Sequence, residues 1–229
     1  METIPFSFIR IPKAASGSID LHLRQVDNYR YINAWETHGS ESVEYSAHMR
    51  YCDLDYYLKK YTNYIERRDK LTGKLKHCYV FSCVRNPWER LVSYWINWQH
   101  MHNRKRAFNK WLKEEKHIYP KSLKRDIRNT VEGKEYGRYP ILMPQVCYLT
   151  NNGTVDGKLM VNYIVRFENL QEDLKIVGEQ IDIDFSNIPY VNCSKYKPAT
   201  KCYTKESLYF VDEHFSVDID LFDYKYEGI

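Results

Sequence analysis

FSFIRIPKAASGSI, residues 6–19, sets the pattern of the chain. Phe6, Phe8, Ile9 and Ile11 form an apolar run rich in aromatic and β-branched side chains, as in a buried strand. Pro12 has no N–H to give and ends the ladder. Lys13, Ala14, Ala15, Ser16, Gly17 and Ser18 then make a turn of small residues. Ile19, Leu23 and Val26 recur at i, i+4 and i+7, which predicts a helix. Strand, small-residue turn and helix together present backbone N–H groups and a positive helix end to an anion. Lys13 adds a cation there, and the serines add hydroxyl donors. The spacing is not G-x-x-x-x-G-K-[ST], because the lysine precedes the small residues.

A second stretch repeats the arrangement. Cys78 to Val84 reads as a strand with almost no polar face, as expected when both sides are covered. Arg85 stands at its end. Asn86 suits a helix cap and Pro87 the first helical position. Leu91, Tyr94, Trp95 and Trp98 then share one helical face. Arg85, by its planar fork, and Ser93, by its hydroxyl, are suited to gripping a further phosphate.

The pair P-K-x-x-S-x-S and R-N-P-x-x-R-x-x-S-Y resembles the sulfotransferase family, most of all the carbohydrate (Golgi-type) enzymes and their compact bacterial and viral relatives. The similarity continues through Arg166-Phe167-Glu168-Asn169-Leu170 and, more thinly, Asp218, Phe222 and Tyr224. The resemblance implies a fold like that of the P-loop NTPases, an α/β three-layer arrangement with a central parallel sheet, and one catalytic domain over residues 1–229. It implies 3′-phosphoadenosine 5′-phosphosulfate as donor. Lys13, Ala14, Ala15, Ser16, Gly17 and Ser18 would face the phosphosulfate, and Arg85 and Ser93 the 3′-phosphate. Lys13 would also act at the leaving phosphate. A histidine between the two motifs, His48, would serve as general base, with His38 and Glu44 in reserve. A basic loop between Cys193 and Cys202 resembles the one that closes over the nucleotide in several relatives, so Ser194 or Lys195 is expected to reach the donor. Sulfuryl transfer needs no metal, and none is expected.

Composition sets the remaining bounds. A chain of 229 residues fits one domain, perhaps with a helical insertion. The net charge of +4 suits an anionic cofactor without demanding nucleic acid. The acceptor is expected to carry a hydroxyl on a glycan, and 21 tyrosines suit a sugar site, though many should simply be core. No apolar run is long enough to span a bilayer, and the first strand begins almost at once. The expected location is therefore cytoplasmic, or the Golgi lumen for a trimmed catalytic domain. The six cysteines lack metal spacing: Cys52, Cys78, Cys83 and Cys147 read as buried thiols, while Cys193 and Cys202 could close a loop. Two sequons, at Asn152 and Asn192, read as chance matches.

The chain in order predicts a helix over residues 53–70, a basic stretch over 101–130, and loop over 131–150. A third strand should end at Arg166, a helix open at Asn169, and a last helix start at Thr204 with Leu208, Val211 and Phe215 on one face. The basic stretch is either a solvated helical face or one wall of a cleft for an anionic glycan. Two other functions compete: a P-loop nucleotide kinase, which would need the missing glycine-lysine spacing, and a non-catalytic module that binds a phosphorylated ligand.

Overall fold

The computed structural model describes residues 4–26, 31–32, 78–103, 105–123, 141–189 and 201–226, with the backbone alone at 31–32 and 117–123. His38, Glu44, His48, Cys52, Cys193, Ser194, Lys195 and the helix expected over 53–70 lie outside the described residues. The chain divides into two compact units. One joins Met1–Val84 to Gln145–Asn192, and the other joins Arg85–Pro144 to Cys193–Ile229.

The first unit holds a parallel sheet in the order β2-β1-β3-β4. Its strands are β1 (Phe6–Ile9), β2 (Tyr31–Ile32), β3 (Tyr79–Val84) and β4 (Tyr163–Arg166). β1 runs beside β3 with Phe6 opposite Tyr79 and Ile9 opposite Ser82. β3 runs beside β4 with Val84 opposite Arg166. Phe6, Ser7, Phe8 and Ile9 are all buried, so both faces of β1 are covered, which explains its lack of alternation. Ser7 and Ser82 are the polar exceptions, and Ser82 Oγ donates to the Ile9 carbonyl at 2.7 Å. A buried hydroxyl needs such a partner, and the bond is worth about 1 kcal/mol net.

Helix α1 (Ser16–Val26) follows β1. It starts three residues before the predicted Ile19, because Ser16, Gly17 and Ser18 already have helical geometry. Ile19 and Leu23 are buried as the spacing predicts, but Val26 is half exposed at the frayed end. His22 Nε2 lies 2.7 Å from the Asp184 carbonyl and its ring packs on Phe185, which moors α1 to the chain beyond β4.

A 3₁₀ turn (Phe167–Asn169) leads from β4 into α5 (Leu170–Ile181). Asn169 stands at the predicted start, but its side chain does not cap the helix. Asp173 ties the turn together instead. It accepts from the Arg166 N–H at 2.7 Å and from Asn169 Nδ2 at 2.8 Å. Leu174, Val177 and Ile181 are its buried face. Residues 131–150 were expected as loop, yet Val146–Leu149 form the short helix α4. Their apolar side chains are buried, and that burial outweighs the turn signals just upstream. The two-residue β2 was not expected at all, since so short a strand leaves no periodic pattern.

The second unit is helical. Asn86 caps α2 (Pro87–His102), its side chain accepting from the Trp88 and Glu89 N–H groups at 3.1 and 3.4 Å. Pro87 takes the first helical position, as predicted. Asn86 Nδ2 also donates to the Lys225 carbonyl at 3.0 Å. Helix α3 (Phe108–Leu123) packs through an aromatic core. Trp95 meets Phe108 edge-on at 5.6 Å, Phe108 meets Tyr203 at 4.8 Å, and Tyr203 meets Tyr226 at 6.0 Å. Pairs of this kind add about 0.5–1.5 kcal/mol each beyond their burial. These four described aromatics are thus structural. Tyr203 also donates to the Trp88 carbonyl at 2.9 Å, and burial holds its phenol neutral well past the usual range.

The last predicted helix is two. α6 (Lys205–His214) opens with a reciprocal cap between Thr204 and Ser207, and α7 (Ser216–Leu221) follows the break at Phe215. Arg90, fully buried, donates to the Met143 carbonyl at 3.3 Å, and His214 Nε2 donates to the neighbouring Leu142 carbonyl at 2.6 Å. Burial pushes the His214 pKa down, the Leu142 contact opposes this, and Lys116 and Arg90 push it down further. The unfolded chain therefore binds the proton more tightly. Stability contributed by neutral His214 is present above about pH 6.5 and lost as pH falls toward the depressed folded value. Urea unfolding of wild type and His214→Gln across this range should show a shallower acid decline in the variant. Parallel profiles would contradict the assignment.

Candidate functional site

The loop at the carboxyl end of β1 is the most distinctive backbone in the chain. Lys13 has φ 68° and Ala15 φ 52°, both left-handed and neither glycine. Such residues cost on the order of 1 kcal/mol or more each, and they persist only where their surroundings hold them. Backbone that alternates in handedness is one way a chain forms a concave anion site. Ala15 accepts the first helical bond, from the Ile19 N–H at 3.1 Å. Ser16, Gly17 and Ser18 therefore form the first turn of α1, where N–H groups have no carbonyl behind them in the helix. Lys13, Ala14, Ala15, Ser16, Gly17 and Ser18 thus run without a break from the left-handed loop into the start of α1.

An aspartate with two arginine partners lies next to this loop. Buried Asp20, one turn into α1, accepts from Arg10 Nη1 at 2.8 Å and from Arg24 Nε at 3.1 Å. Sequence reasoning passed over this group, although the Asp20–Arg24 spacing of four was visible.

β3, the neighbour of β1, ends at Val84, directly before Arg85. In the second unit, Arg85 and Ser93 are both buried. Arg85 Nη2 lies 3.7 Å from Glu89 Oε2. Glu89 and Ser93 are spaced by four on α2. Among the described residues, no cluster of His, Cys, Asp and Glu could hold a metal ion, and no helix is long and apolar enough to cross a membrane. Cys78, Cys83 and Cys147 are buried, as expected.

A profile of the sulfotransferase family matches residues 2–225. The chain belongs to the sulfotransferase family. This sulfotransferase also aligns with the crystal structure of a sulfotransferase from Alicyclobacillus acidocaldarius, at 16% identity over 98% of each chain and a TM-score of 0.49. No curated protein matches it. Family membership makes it a transferase of sulfuryl groups with a hydroxyl-bearing acceptor. Its Asp218, Phe222 and Tyr224, part of the C-terminal resemblance, are all buried and read as packing residues.

Proposed function

We propose that this sulfotransferase moves the sulfuryl group of 3′-phosphoadenosine 5′-phosphosulfate to a hydroxyl of a carbohydrate, within one catalytic domain. The observation that carries this reading is the strained loop at Lys13 and Ala15, which carries a cation and runs directly into the N-terminus of α1. That donor set fits a phosphosulfate, whose oxygens accept hydrogen bonds and carry negative charge. The donor supplies an activated sulfuryl group with a phosphate as leaving group. Lys13 holds positive charge where that phosphate develops negative charge, and the loop N–H groups fix its orientation. Arg85 and Ser93 hold the 3′-phosphate, and Ser194 or Lys195 adds a donor to the nucleotide. No metal enters this scheme, because the cations are side chains.

The acceptor proton needs a base. His48 fills that role in this scheme, because neutral imidazole takes a proton near neutral pH and can release it afterwards. The experiment supplies the donor with a panel of glycans, phenols and small alcohols and follows sulfated product by mass spectrometry. A glycan product is expected, with His48→Ala about a hundredfold slower or worse and His38→Ala near wild type. Product on phenols alone would refute the carbohydrate reading. Loss confined to His38→Ala would move the base there, and loss in neither would point to Glu44.

A further inference from the structure

We propose that Asp20 and Arg10 form a clamp that holds the phosphate loop in its binding shape, so that Asp20 is a positioning residue for the donor. This rests on the assignment of residues 13–18 to the phosphosulfate. Arg10 is the first residue after β1, and Asp20 lies in the second turn of α1. Their contact, at 2.8 Å, joins the two ends of the segment that contains residues 13–18. Within that segment Lys13 and Ala15 sit in left-handed geometry that neither residue favours. The short turn contact inside it is a long one, from the Ala14 N–H to the Ile11 carbonyl at 3.4 Å. Closure of the segment by a part-buried, charge-assisted bond adds a constraint across that strained backbone.

The two arginines on Asp20 are not equivalent. Both donate to the same oxygen, Oδ2, and both carry one positive charge. Arg24 is four residues further along the same helix, so its contact joins parts of α1 that the helix already fixes. Arg10 reaches across the loop from the strand. A role in charge balance would weigh the two arginines alike, whereas a clamp depends on Arg10.

The test measures affinity for 3′,5′-adenosine bisphosphate by calorimetry, and amide hydrogen exchange of residues 13–18 without ligand. The variants are Asp20→Asn, Arg10→Gln, Arg24→Gln and Leu23→Ala, the last removing a buried side chain from the same helix. Asp20→Asn and Arg10→Gln should each weaken binding by about tenfold or more, with the double variant no worse than either. Both should speed exchange in the loop. Arg24→Gln and Leu23→Ala should bind within about twofold of wild type, although Leu23→Ala loses stability. Wild-type affinity in Asp20→Asn would overturn the clamp, as would equal losses for Arg10→Gln and Arg24→Gln. If wild type does not bind the bisphosphate, the donor assignment fails. Loop exchange then decides the clamp by itself, with no acceleration in Asp20→Asn refuting it.

Discussion

Lys13→Ala is expected to lower turnover by about two to three orders of magnitude while leaving affinity for 3′,5′-adenosine bisphosphate within a few-fold. The asymmetry follows from when the charge is needed. An interaction that strengthens as negative charge builds on the leaving oxygen lowers the barrier more than it aids binding. The backbone does not confuse the comparison. Lys13 has φ 68°, and alanine carries the same Cβ penalty there as lysine. Lys13→Gly separates the two further, since it relieves the strain while also removing the ammonium. It should be as slow as Lys13→Ala. Steady-state kinetics beside calorimetry checks both variants. Unchanged turnover with a raised Michaelis constant would make Lys13 a binding residue only.

Arg85→Ala should weaken binding of the same nucleotide by about ten- to a hundredfold, as expected for loss of a charged donor to a phosphate. Glu89 adds to the effect. Its carboxylate lies 3.7 Å from the Arg85 guanidinium, and without Arg85 it would face the nucleotide unneutralised. Arg85→Lys should recover only part of the loss, because an ammonium lacks the planar fork. A complementary change, Glu89→Gln, should tighten binding if the carboxylate competes with phosphate for Arg85. Equal affinities of wild type and Arg85→Ala would remove Arg85 from the nucleotide site.

The sequence made the sheet legible where strands are long and covered on both faces. β1 and β3 read as continuous apolar runs, and Asn86-Pro87 marked the start of α2 because capping chemistry is local. The loop was legible as a composition of small residues after a strand, but its shape was not. Left-handed Lys13 and Ala15 run against the preference of both residue types, so no propensity could have shown them. The Arg10–Asp20 contact was hidden for a related reason: it spans a turn whose geometry had first to be known. Glu89 was hidden by the attention paid to its motif neighbours, though its spacing from Arg85 is helical. Arg90, which the motif marks as clearly as Arg85, is fully buried on the Met143 carbonyl and supports the fold of its unit. Motif membership alone therefore did not mark Arg90 as structural; its carbonyl partner on Met143 did. Asn169 shows the converse, a residue in the predicted position with a different bond.

The central claim is that paired phosphate sites recognise a 3′-phosphorylated adenosine nucleotide through side-chain and backbone donors. It is tested most directly by calorimetric titration of the wild-type protein with 3′,5′-adenosine bisphosphate in the presence of a chelator, beside ATP with magnesium. Saturable, one-to-one binding of the bisphosphate in chelator is expected, with much weaker binding of ATP. Tight binding of magnesium–ATP with none of the bisphosphate would contradict it.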